Sequence, residues 1–118
     1  MRRELRLRKR KDFQAVLQKG DVERHRLMVL RTLPNQLPHN RYGFITSKRL
    51  GNAVVRNRVR RRLREGVRSL GTTPGRDVVV AAREAASRAS FHELKSAVVD
   101  LFARAGILAE ESPEGKRP

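Results

Sequence analysis

The chain has 118 residues, enough for one hydrophobic core and too few for two independent lobes. Its 28 lysines and arginines against 12 acids give a formal charge of +16, a self-repulsion that a polyanionic partner relieves, so nucleic acid leads the candidate partners. The absence of cysteine excludes disulfides and thiolate metal sites. No apolar run reaches the ~20 residues a membrane helix needs, so the chain reads as soluble and cytoplasmic, with no membrane partner.

Residues 1–8, rich in arginine, read as a flexible basic N-terminus. In KDFQAVLQKG, Phe13, Val16 and Leu17 recur at helical spacing and predict a short helix that ends at Gly20. Asp21 to His25 suit a short strand, and LMVLRTL at Leu27 to Leu33 suits a longer one. The prolines and asparagines of PNQLPHN (34–40) predict a surface connection, after which RYGFITS (41–47) is a strand. Gly51-Asn52 breaks the chain and caps a helix, because an asparagine side chain accepts from orphan backbone N–H groups.

From Ala53 to Leu70 the pattern is amphipathic, with Val55, Val59, Leu63, Val67 and Leu70 on one face. GTTPG (71–75) ends this helix, and DVVVAAR (77–83), a short apolar run bounded by turn residues, predicts a buried strand. Ser90 and Glu93 form the pattern of a capping box. Phe91, Leu94, Val98, Leu101 and Phe102 then share one face of a last helix reaching about Gly106. Residues 1–107 form one domain in this reading, and 108–118 a disordered tail. The order αβββαβα implies a single-domain α+β sandwich with helices covering one sheet face.

The helix from Ala53 has a core side and a cationic side. Arg56, Arg60, Arg61, Arg64 and Arg68 sweep the arc away from the valines. Glu65 is the sole acid of the run, so local ion pairs cannot account for these arginines. Guanidinium groups one turn (~5.4 Å) apart can bridge successive RNA phosphates. Lys48 and Arg49 precede the helix N-terminus, whose free N–H groups also favour phosphate.

The stretch SKRLGNAVVRNRVRRRLR resembles the signature of the bacterial ribonuclease P protein family, with its Arg-Asn-Arg element at Arg56-Asn57-Arg58. KDFQAVLQKG and DVVVAAREAAS resemble that family's first helix and late strand, and the resemblance runs from about Leu7 to Phe102. It implies a ribosomal protein S5 domain 2-like fold with three helices, a four-stranded mixed sheet and an unusual left-handed crossover. It further implies a monomeric subunit that binds the catalytic ribonuclease P RNA and the 5′ leader of precursor tRNA. In such an assembly the RNA performs the cleavage. Lys48, Arg49, Asn52, Arg56, Asn57, Arg58, Arg60, Arg61, Arg64 and Arg68 would face RNA. A sheet cleft holding Phe13, Leu17, Val29 and Arg31 would take the leader. Leu17 and Arg31 stand where the family commonly has aromatics, so leader binding here leans on charge more than on stacking.

His25, His39 and His92 lack neighbours at metal-ligand spacing, and no carboxylate pair suggests protein-based acid–base catalysis. Magnesium is expected in the assembled enzyme, held mainly by RNA. Two other classes share parts of the pattern. A non-enzymatic ribosomal or RNA-chaperone protein would show the same charge and basic helix. A DNA-binding protein would need a helix at turn spacing before Ala53, and the sequence has none there.

Overall fold

A computed structural model describes residues 2–109. In chain order the elements are α1 (Arg10–Lys19), β1 (Asp21–Arg24), β2 (Met28–Pro34), β3 (Arg41–Ile45), α2 (Ala53–Arg68), β4 (Arg76–Ala82) and α3 (Phe91–Arg104). Single 3-10 turns at Arg3–Leu5, Lys48–Leu50 and Glu84–Arg88 punctuate the connections.

The sheet runs β1-β2-β4-β3, with β1/β2 and β2/β4 antiparallel and β3/β4 parallel. A parallel pair cannot be closed by a hairpin, and α2 is the crossover between β3 and β4. On one sheet face Met28, Leu30, Tyr42, Val78 and Val80 pack against Val59, Leu63 and Val67 of α2 and Leu94, Val98, Leu101 and Phe102 of α3. The apolar stripes read from the sequence for these two helices are buried here except at their ends, where Phe91 is exposed and Val55 and Leu70 are half-buried. Ser90 and Glu93 close the capping box: Glu93 N–H donates to Ser90 Oγ (3.1 Å) and Ser90 N–H to Glu93 Oε1 (2.8 Å).

The helices do not all lie on one face, as the element order implied. Val78, Val79 and Val80 are all buried, and because side chains alternate along a strand, Val79 needs cover on the opposite side. Leu7 and α1 supply it, with Leu7, Val16 and Val79 forming a second small core flanked by Phe13, Leu33 and Ile45. The Phe13 ring lies on Gly43, where a Cβ would stand 2.4 Å from Cζ, so the strand admits α1 only because that position lacks a side chain. At one end of this interface Arg41 donates to Asp77 through Nε (2.8 Å) and Nη2 (2.7 Å) and reaches Asp12 of α1 at 3.4 Å.

Both chain ends differ from expectation. Within the segment expected to be flexible at 1–8, Leu7 is tied down, being 4% exposed with its N–H donating to the Tyr42 carbonyl at 2.8 Å, while Arg2, Arg3, Glu4, Arg6 and Arg8 are exposed. Burying one such leucine contributes ~2 kcal/mol, enough to hold a short arm. Of the expected tail, Leu108 bridges Thr72 and the Ala109 N–H donates to the Gly71 carbonyl at 2.9 Å, so order continues past 107. Residues 110–118 lie outside the described residues.

Candidate nucleic-acid interface

Glycine at position 51 sets the entry to α2. Its φ of 137° and ψ of −156° belong to a region that side chains disfavour, and this bend carries the chain from the Lys48–Leu50 turn into the helix. Asn52 then caps it, Oδ1 accepting from the Val55 N–H at 3.0 Å. Lys48 and Arg49 stand exposed just before the helix N-terminus. The Asn52 carbonyl oxygen is spent on the cap, which leaves its amide nitrogen for any RNA contact.

Around α2 the arginines and Asn57 fall into three groups. Asn57, Arg61 and Arg68 are exposed on the outer side. Arg68 is paired with Glu65 at 3.0 Å, an exposed contact worth little in water. Arg56, Arg60 and Arg64 are half-buried, and Arg60 is oriented by bonds to the Thr46 hydroxyl and to Asn57 Oδ1 (2.9 Å). Among the described residues, Arg56, Arg61 and Arg64 have no side-chain hydrogen bond or ion pair.

The third group points inward. Arg58, expected on the RNA side, donates to the Ser87 carbonyl at 3.2 Å, and Arg62 donates to the Ala89 carbonyl at 3.1 Å. The reason lies in the wheel itself: at 100° per residue these two sit beside Val55 on the flank that meets the Glu84–Arg88 turn. Arg58 Nε is buried without a partner, which marks the side chain as held by packing as much as by hydrogen bonding.

The four residues expected in the leader cleft share the α1 side of the sheet but do not share one cavity. Val29 and Arg31, with Ala81 opposite Val29, floor a depression of about 620 Å³. Its rim carries Arg26, Arg49, Arg83 and Arg88 against a single acid, Glu84. Phe13 lines a separate depression of about 220 Å³ with Arg6, Arg8, Arg60 and Arg64, and Leu17 stands 42% exposed on α1 outside both. Sequence reading missed Arg6, Arg8, Arg26, Arg83 and Arg88. Each lies in a connection with no periodic signal, and only the sheet order gathers them.

The histidines do not converge. His25 Nδ1 accepts from the Leu27 N–H at 3.0 Å in the β1–β2 turn, and His92 is exposed in the first turn of α3. Among the described residues no three His, Cys, Asp or Glu side chains are grouped to hold a metal ion, and no helix is long and apolar enough to cross a membrane.

Comparison with known proteins agrees with this geometry. The family model described as Ribonuclease P matches residues 1–106. A ribonuclease P protein component of Dehalococcoides mccartyi is 40% identical over 110 residues, covering 93% of this chain and 92% of its own. One from Symbiobacterium thermophilum is 43% identical over 114 residues, covering 94% and 99%. The solved Staphylococcus aureus RNase P protein superposes with a TM-score of 0.80 at 30% identity, covering 89% of this chain and 98% of that one.

Proposed function

The chain belongs to the ribonuclease P protein component family, and we propose that it acts as the RNA-binding subunit that assists removal of the 5′ leader from precursor tRNA. The observation that carries this reading is the set of arginines on α2 left without acidic partners, beside a second cationic surface on the other side of the sheet. Arg56, Arg60, Arg61 and Arg64, with Lys48, Arg49 and Asn57, meet phosphates of the ribonuclease P RNA, while Arg58 serves to hold the adjoining turn. The depression over Val29 and Arg31 takes the single-stranded leader. Its charged rim and lack of aromatics suit phosphate contacts in place of base stacking.

The RNA subunit performs the cleavage. Magnesium supplies charge neutralisation and water activation in that reaction. The described residues do not fit a site for it: Asp77, Asp12, Glu23, Glu65 and Asp100 are each engaged by an arginine, and no three carboxylates are grouped to hold an ion. In this reading the ion is held mainly by RNA oxygens. The protein, monomeric in solution and cytoplasmic in this reading, contributes positive charge and a shaped cleft.

The test is reconstitution. The protein is mixed with a bacterial ribonuclease P RNA at low magnesium, and release of the 5′ leader from a precursor tRNA is followed. Faster cleavage than by RNA alone is expected, and no gain would refute the reading.

A further inference from the structure

Four arginines converge on the smaller depression from two walls. Arg6 and Arg8 flank buried Leu7 on an arm whose backbone is bonded to β3. Both are exposed and border the same depression as Leu7. Arg60 and Arg64 stand one turn apart on α2 and reach the same space. Between them lie the apolar surfaces of Leu7, Phe13 and Phe44.

No acid lines this depression, and among the described residues none of the four arginines is in an ion pair. A neighbouring depression near Asn40 and Thr72 gives the contrast. Its two arginines are already paired, Arg2 with Glu4 at 3.7 Å and Arg68 with Glu65 at 3.0 Å. Like charges gathered in a concave site repel one another, more strongly beside a low-dielectric wall than in open water, unless an anion sits among them. Arg60 is already fixed by Thr46 and Asn57, so less ordering remains for a ligand to impose. A volume of about 220 Å³ suits one phosphate group with part of its sugar, and the apolar wall suits the sugar carbons.

We propose that this depression is a phosphate-binding site in which the N-terminal arm and α2 close on a single phosphodiester of the RNA partner. The site makes Arg6 and Arg8 part of the RNA interface, and it rests on the RNA-binding reading above. Two experiments on the full chain test it. In the first, inorganic phosphate is titrated at low chloride and followed by amide NMR. Saturable shifts confined to residues 6–8, 43 and 60–64 are expected, absent in the double variant R6Q/R8Q. Shifts spread evenly over all arginine-bearing surfaces, or no saturable shift, overturn the proposal.

In the second, wild type and R6Q/R8Q are bound to ribonuclease P RNA across a salt series. The variant is expected to bind about tenfold more weakly at fixed salt, with a log–log slope shallower by about 0.9, the loss of one phosphate contact. Unchanged affinity and slope in a variant that melts like wild type overturn the site and leave the RNA-binding reading standing. Failure of the wild type itself to bind RNA overturns that reading instead. The phosphate titration on wild type then decides the site alone and needs no variant to fold.

Discussion

Arg58→Ala and Arg61→Ala, two changes on the same basic helix, are expected to fail in different ways. Arg58 loses a charge-assisted bond to the Ser87 carbonyl (3.2 Å) and the packing of its half-buried stem. The bond contributes ~1.5–2 kcal/mol and the stem ~1 kcal/mol, while removing the buried, unpartnered Nε relieves ~1 kcal/mol. The net is a destabilisation of ~1–2 kcal/mol, roughly 5 °C in Tm for a chain of this size. Arg61 is exposed and makes no such bond, so its removal stays within ~0.5 kcal/mol in stability. In RNA binding the order reverses: Arg61→Ala makes the salt slope shallower by about 0.9, and Arg58→Ala leaves it nearly unchanged. Thermal melts and a salt series of RNA-binding isotherms read the two quantities separately. An Arg58→Ala protein that melts with wild type yet loses a full phosphate's worth of slope would show that Arg58 faces RNA and that its inward contact is incidental.

Four further outcomes follow from the same geometry. Arg31→Ala with Arg83→Ala should weaken binding of leader-bearing tRNA more than of mature tRNA, with a salt-dependent deficit, and equal losses would move the leader elsewhere. Gly43→Ala drives a methyl into the Phe13 ring and should cost ~1–3 kcal/mol in denaturant unfolding unless Phe13 is shortened at the same time. Asp77→Asn removes the charge that Arg41 grips twice. Because the Arg41 side chain is 25% exposed and Asp12 remains nearby, the expected loss is ~2–3 kcal/mol, below that of a fully buried pair. The Ser90 backbone N–H, aided by the Ser90 hydroxyl, Arg26 and His92 against some desolvation, holds the Glu93 carboxyl below its ordinary range. Its contribution is therefore present above the unfolded-state pKa and lost as pH falls through the folded one. The stability gap between wild type and Glu93→Gln should close in that acid range, read by melts over a pH series.

What the sequence disclosed and what it withheld divide along physical lines. The apolar stripe Val55, Val59, Leu63, Val67, the Asn52 cap and the Ser90/Glu93 box depend on residues within a turn or two of one another, so local spacing reveals them. The run Val78-Val79-Val80 marked a buried strand, yet the element order pointed to helices on one sheet face, because the chain gave no local sign that Leu7 and α1 provide a second cover. The two inward arginines were hidden for a similar reason: a helical wheel gives Arg58 and Arg62 an angle about their own axis, whereas their partners, Ser87 and Ala89, lie 29 and 27 residues downstream.

The basic run from Arg56 to Arg64 is not one uniform cationic strip. Charge count alone assigns every arginine to the polyanion, yet two of them are used to fasten the Glu84–Arg88 turn. That turn and its approach carry Arg83 and Arg88 to the rim of the depression over Val29 and Arg31. On the proposed reading, the helix that meets the RNA subunit also sets the position of the charges offered to the leader. A change that loosens Arg58 or Arg62 reaches the leader through the turn, without touching it. The double variant R58A/R62A should accordingly lose discrimination between leader-bearing and mature tRNA while retaining most of the salt slope for the RNA subunit. Retained discrimination in a folded double variant would show that the turn holds its place without them.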